Sequence, residues 1–413
     1  MLPAERRAVG VVFIANGIVC GTFPSRLPWI AERLHLSSGL LGLVGLITSI
    51  GALVAIPLAA QFVHRAGPRA ATRVLIAGSC LCGGLPVFAP DLAVLALIML
   101  VFGALLGTVD NAMNAQAVEA EQRIGKSIMS GLHGLWSVGV LIGALASSLA
   151  AHAGLDPRLQ FTITAVVTAA GGVIATAWFR DSRPARAGRK AEGPARDADT
   201  AVPRFAWPRG PLLLIGLVGF AAIFVEFAAN DWAAVFMHWD LHTSEAAAAL
   251  GTSVFAGSMA AGRLSGDVVV RRTGPVLAVR TCGVLGTAGC LLVAIAPDPA
   301  AAMAGFVLIG IGVSVVVPLV FAAAGRSGPS SAIGVAGVAT VSYGAGLAAP
   351  SVMGGVADLS SLRIAFAVTS LLAAAVAAGA GLLGRKSGAA EGQLALAEAG
   401  ASEVILEEDQ FHR

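Results

Sequence analysis

Of 413 residues, 56% are hydrophobic and only 12% charged, about half the charged share of an ordinary soluble domain, and the mean hydropathy is +0.82. That balance leaves no room for a soluble catalytic domain and defines a polytopic membrane protein. Fifty-one glycines let helix backbones approach closely, which is how helices associate where lipid is as apolar as the neighbouring helix.

The chain opens with MLPAERRAVG, in which Glu5, Arg6 and Arg7 precede an apolar run that lacks a small-residue cleavage pattern, so an uncleaved first helix is expected. Apolar runs of about 20 residues cross a hydrocarbon core of about 30 Å at about 1.5 Å per residue. They predict twelve spans, at about 8–25, 39–61, 71–89, 92–115, 128–151, 159–179, 211–237, 245–269, 276–296, 299–323, 331–353 and 363–384. With the N-terminus cytoplasmic, only Arg26, Arg33, Arg158 and Arg363 of the 27 Lys and Arg residues lie on the outer side, and the even number of spans keeps both termini inside. Residues 1–180 and 210–385 then form two six-helix bundles. Between them, 181–209 is an Arg-, Pro- and Gly-rich cytoplasmic linker, and 386–413 is an acidic cytoplasmic tail. Cys20, Cys80, Cys82, Cys282 and Cys290 all fall within spans and read as small packing residues; no disulfide, metal site or cofactor is expected.

The two bundles are copies of each other. At an offset of 207, Leu34, His35, Ser37 and Leu43 meet Leu241, His242, Ser244 and Leu250; Arg65, Gly67, Pro68, Ala71 and Arg73 meet Arg272, Gly274, Pro275, Ala278 and Arg280; Ala89-Pro90-Asp91 meets Ala296-Pro297-Asp298. At 205, Ser137, Gly139, Arg158 and Phe161 meet Ser342, Gly344, Arg363 and Phe366. The fold class is therefore all-α, with twelve transmembrane helices in two pseudosymmetric halves of the kind that rock around a midplane site.

Asp110, Asn111 and Asn114 interrupt the apolar fourth span. A charge at that depth costs roughly 2.5–3.5 kcal/mol, so the default reading is a functional group facing a partner or a water-filled path; the alternative is an acid tied to neighbouring helices for packing. Asp110 and Asn114 are four apart and share a helix face. In the fifth span His133 stands at a depth where it can meet Asp110 as a proton relay, or bond a backbone carbonyl instead, and Trp136 one turn deeper can stack on a substrate or simply pack. Helix 7 supplies Glu226, Asn230 and Asp231, and Arg26 near the outer end of helix 1 is expected to pair with Asp231 or Glu226 to close an outer gate. Tyr343 on helix 11 either reaches the cavity or packs.

QFVHRAGPR at 61–69 resembles the Gly-x-x-x-Asp-Arg-x-Gly-Arg loop between helices 2 and 3 of the major facilitator superfamily, with His64 at the Asp position; GRLSGDVVVRRTGP at 262–275 is its second copy. SRLPWI, DNAMNAQAVEAE, SIMSGLHGLWSVG and EFAANDWAAVF narrow the similarity to fucose-permease-like carriers and to the YbjJ-like group of bacterial inner-membrane proteins. The resemblance implies an inner gate braced by Arg65, Arg69, Asp267 and Arg272, and proton coupling at Asp110 with Asn114 on helix 4. The helix 1 aspartate of those permeases has no counterpart here, Asn16 being the nearest polar residue.

The resulting expectation is a proton-coupled secondary transporter, not an enzyme, in a bacterial inner membrane. Asp110, Glu226 and His133 serve coupling, and Asn16, Asn111, Asn114, Trp136, Asn230 and Tyr343 face a small polar substrate. The expected partners are that substrate, protons and the bilayer, with no nucleic acid and a monomeric chain. An exporter of amphipathic compounds and a non-transporting membrane receptor are the alternatives.

Overall fold

The computed structural model describes residues 2–125, 128–179, 208, 210–327 and 331–384; the expected linker, apart from Pro208, and the acidic tail lie outside the described residues. The N-terminal half contains α1 (Leu2–Ser25), α2 (Leu27–Leu34), α3 (Ser38–Ala66), α4 (Pro68–Gly83), α5 (Leu92–Ile124), α6 (Met129–His152) and α7 (Pro157–Ala175). The C-terminal half contains α8 (Pro211–Trp239), α9 (Glu245–Thr273), α10 (Pro275–Ile295), α11 (Pro299–Val313), α12 (Val316–Ser327), α13 (Ser331–Ser342), α14 (Gly344–Leu359) and α15 (Leu362–Gly379).

Each predicted span is helical, but the tenth and eleventh are each built of two helices, α11 with α12 and α13 with α14. The short α2 is an addition that the hydropathy did not show. Among the described residues, eleven helical segments are long and apolar enough to cross a membrane. The remaining span, α9, has 29 residues but carries Glu245, Arg263, Asp267, Arg271 and Arg272. Apolar side chains such as Leu149, Ile295 and Leu371, each about 70% exposed, turn outward, as a lipid-facing surface requires.

The internal repeat reappears as paired local geometry. Asp91 and Asp298 each cap a helix N-terminus, accepting from Val94 N and Ala301 N at 2.9 Å in both cases. His35 and His242 are the two non-glycine residues with positive φ among the described residues, at 51° and 50°. Gly67 and Gly274 hold φ of 81° and 79° just before Pro68 and Pro275 start their helices, a conformation that only glycine adopts without strain. All of these pairs are related by the same 207-residue offset.

Within the N-terminal half, α1 and α6 meet backbone to backbone. A Cβ on Gly17, Gly21, Gly139 or Gly143 would come within 2.1–2.4 Å of a carbonyl oxygen on the facing helix. Toward the end of the C-terminal half that holds the α8–α9 turn, Phe236, Phe306 and Phe366 stack edge to face, with ring centroids 5.6–6.2 Å apart. The halves join through α3 with α14 and α6 with α9. One face of the bundle holds Leu2 and Gly384, and is called here the terminal face; the far face holds α2 and the α8–α9 turn.

Candidate functional site

Helix α5 is 33 residues long and Asp110 sits close to its middle, about 27 Å from the far-face end and about 21 Å from the terminal-face end at about 1.5 Å per residue. Asp110 and Asn111 are exposed and Asn114 is half-buried. Exposure alone would also describe a lipid-facing residue. The charge of Asp110, however, acts on Cys20 of α1 and on Tyr343 of the opposite half, which places it on the side of α5 turned toward α1 and the C-terminal half. Tyr343, at the break between α13 and α14, is 63% exposed with its ring 5.9 Å from Phe321.

The amides beside Asp110 are oriented by their own helix: Asn111 Nδ2 donates to Gly107 O at 2.7 Å and Asn114 Nδ2 to Asp110 O at 2.9 Å. The buried Asn114 Oδ1 is left without a partner, an open acceptor, as are both polar atoms of the buried Gln116 amide two residues on. Across from it, Trp136 Nε1 donates to Asn16 Oδ1 at 2.9 Å, which fixes the indole against α1. Asp231 lies in the same electrostatic neighbourhood, acting on Cys20 as Asp110 does, and accepts a 2.7 Å bond from Asn230 Nδ2.

His133 does not meet Asp110. Its ring stands edge-on to Phe13 at 5.5 Å and feels the charge of Arg263. The cause is depth: α5 runs to Ile124, nine residues past the predicted end of its span, which sets Asp110 about 21 Å from the terminal face while His133, four residues into α6, is only about 6 Å from it.

Glu226 also has a partner that the sequence reading missed. Arg263 of α9 reaches back to Glu226 Oε1 at 2.9 Å and, across the interface, donates to Ser137 Oγ at 2.9 Å. Arg263 belongs to the GRLSGD run, which had been read only as a gate loop. Its signal was a lone cation ten residues inside the charged end of a span.

At the far face Arg26 pairs with Glu245 rather than with Asp231 or Glu226. The guanidinium is 1% exposed, Nε donates to Gln160 Oε1 at 2.8 Å, and Gln160 Nε2 donates to Ser147 Oγ at 2.7 Å, so one side chain ties the α1–α2 junction to α6, α7 and α9. Burial pulls the Arg26 pKa down and Glu245 opposes that shift. Above it lies a cleft of about 440 Å³ lined by His152, Asp156 and Ser244. Further seals are Glu32 with His238 at 2.7 Å, Ser148 Oγ to Ala246 O at 2.8 Å, and Gly39 N to Asp358 Oδ1 at 3.2 Å. These contacts tie the two halves together at the far face, while Asp110, Asn111, His133 and Tyr343 remain exposed.

The expected inner-gate residues lie at that open end. Arg65, Asp267 and Arg272 are exposed and make no hydrogen bond or ion pair with another described residue. Arg69 instead binds the end of the sixth span, donating to Thr176 O at 3.1 Å and Ala177 O at 3.3 Å, with Arg73 Nε beside it on Thr176 Oγ1 at 2.8 Å.

The family model of the Major Facilitator Superfamily matches residues 9–350. The chain belongs to the major facilitator superfamily. An uncharacterised MFS-type transporter of Yersinia pestis is 35% identical over 91% of this chain and 95% of its own length. An uncharacterised transporter of Sinorhizobium fredii is 31% identical over 90% and 96%. Among solved structures, the nucleoside transporter NupG superposes with a TM-score of 0.72 at 12% identity, over 92% of this chain and all of NupG. The E. coli fucose:proton symporter FucP gives 0.59 at 14% identity, over 92% and 98%. As a major facilitator protein, the chain is a multi-pass membrane transporter by family, and its break points at Ser314–Val315 and Tyr343 fall in the tenth and eleventh of the superfamily's twelve spans.

Proposed function

We propose that this protein is a secondary active transporter that carries a small polar metabolite across the bacterial cytoplasmic membrane by alternating access, driven by protons, with both termini cytoplasmic. The observation that carries the reading is Asp110: an exposed carboxylate at mid-depth of an apolar helix, without an ion-pair partner among the described residues, whose charge reaches Tyr343 of the other half across what this reading takes as the transport hollow. An acid in that position gains and loses a proton as the hollow changes sides.

In this reading Glu226 is a second coupling group, held by Arg263, and His133 serves the terminal-face mouth. Asn16, Asn111, Asn114, Trp136, Asn230 and Tyr343 supply amide, indole and phenol groups for the hydroxyl or amide functions of the cargo. Arg26, with Glu245 as its partner, serves the outer gate, and Arg65, Arg69, Asp267 and Arg272 the inner one. The small polar cargo named for NupG and FucP, a nucleoside and fucose, agrees with such a lining. The test is proton flux into proteoliposomes on adding sugars, sugar acids, nucleosides and amino acids under proton gradients of either sign. Solute-linked flux in wild type that is absent in Asp110→Asn supports the assignment; solute movement with no linked proton in either protein refutes it.

A further inference from the structure

His238, one residue from the far-face end of α8, stands between two acceptors. Its Nδ1 lies 2.6 Å from the carbonyl oxygen of Thr243 and its Nε2 lies 2.7 Å from Glu32 Oε1 on α2, in the other half. A carbonyl oxygen can only accept, and an ionised carboxylate can only accept. A neutral imidazole has one N–H, so whichever tautomer it adopts, one of these two contacts sets a lone pair against a lone pair. The arrangement is satisfied only when the His238–Glu32 pair holds one proton more than neutral imidazole plus carboxylate, whether that proton rides on Nε2 or on the acid.

The two partners belong to different halves, so the contact bridges the seam between them at the far face. We propose that the His238–Glu32 pair is a proton-binding site that latches the far face, so that closing this face takes up one proton from the far side and opening it releases one. This site is separate from the hollow around Asp110 and does not rest on the identity of any cargo.

The surroundings leave the proton to this pair. His242 and Asp240 lie in the same turn, but Asp240 is engaged at 3.9 Å by Arg363 at the start of α15 and also feels the charge of His242. Arg33, next to Glu32, covers the Trp29 ring at 5.2 Å and bonds Ala89 O. Glu245 is taken by Arg26. His238 and Glu32 wall a cleft of about 410 Å³ with Trp239, His242 and Thr243, which gives the far-side solution direct access to the proton. Thr243 is itself held, its Oγ1 donating to Met237 O at 2.8 Å, so the carbonyl facing His238 cannot turn away to relieve a neutral ring.

The sign follows from linkage. A proton bound by the shut state and not by the open one favours the shut state at low pH, and that preference fades as pH rises. The experiment is distance measurement between spin labels on His35→Cys and Ser360→Cys, one in each half at the far face, in a Cys20→Ala background in nanodiscs from pH 5 to 9. For one proton the shut:open ratio is expected to fall with rising pH, by up to about tenfold per pH unit at its steepest.

In Glu32→Gln the amide donates to Nε2 while Nδ1–H donates to Thr243 O, with no extra proton needed. The pH dependence is therefore expected to vanish and the shut state to persist at high pH. The Glu32→Gln and His238→Gln comparisons are made in an Asp110→Asn background, where the coupling acid adds no slope and an intact latch keeps its own; there His238→Gln is likewise expected to be flat, which separates this latch from the coupling role above. A wild-type ratio that ignores pH, or a Glu32→Gln protein with the wild-type slope, overturns the proposal. The Glu32→Gln arm decides the matter even if His238→Gln fails to fold.

Discussion

Asp110 stands on a helix of 33 unbroken residues, whereas its mate 207 positions along, Val317, is the second residue of α12, just past the interruption at Ser314 and Val315. Asn111 is matched by Pro318 and Asn114 by Phe321. The positions that hold helices in place tell the opposite story: caps, positive-φ histidines and loop glycines are kept in both copies with nearly identical angles. The repeat thus preserves its scaffold twice and its chemistry once. A continuous helix presents the acid at a fixed depth, and the broken helix opposite supplies a place to bend.

The largest effect should follow from moving the chemistry. Asp110→Asn is expected to reduce proton-linked solute accumulation by about 100-fold, the scale of losing a positioned proton carrier. Asp110→Val combined with Val317→Asp should not rescue it, because position 317 lies on the interrupted helix; rescue would show the halves to be interchangeable. Next is Arg263→Met, which leaves Glu226, 17% exposed, without its cation and should cost about 2 kcal/mol in apparent stability, with most of that recovered in the double variant Arg263→Met/Glu226→Met. A double variant no more stable than the single one would show that Arg263 acts through Ser137 instead.

The scaffold prediction is symmetry itself. Gly67→Ala and Gly274→Ala force a Cβ onto φ near +80° with ψ of 151° and 160°, and each should cost about 1.5 kcal/mol by thermal unfolding, within error of the other. Smallest are Asp91→Ala and Asp298→Ala, about 1 kcal/mol each, and additive because the caps share no partner. Unequal losses within either pair would show that the matched geometry is not matched in energy.

Much of this architecture was legible in the chain. Apolar run length gives the spans, and Arg-x-Gly-Pro with Ala-Pro-Asp at one offset gives the duplication, because both report local requirements that a helix end imposes on nearby residues. The family resemblance also holds over 9–350. What the chain did not reveal is which residues meet across the halves. Arg26 finds Glu245, 219 positions away, because its partner depends on how two rigid bundles are rotated against each other, and no periodicity encodes that angle. The His133–Asp110 pairing failed for a simpler reason: a helix that continues past the hydrocarbon edge shifts every depth counted from its end. Arg263 was hidden in plain view, since a cation far inside a span needs an acid at similar depth, and Glu226 was available.

The crossing of α3 and α14 has a mechanical consequence. A Cβ on Gly42 would come within 2.5 Å of Pro350 O, one on Gly45 within 2.5 Å of Pro350 Cβ, and one on Gly354 within 2.6 Å of Ser38 O, so the two helices approach at near-backbone distance. Surfaces of that kind separate with little to unlock beyond the Gly39 N–Asp358 Oδ1 and Ser49 Oγ–Gly346 O bonds, which in the proposed cycle lets this seam come apart and re-form. A single methyl placed there would act as a doorstop, holding the far face ajar and offering a way to trap the opposite state for structure determination.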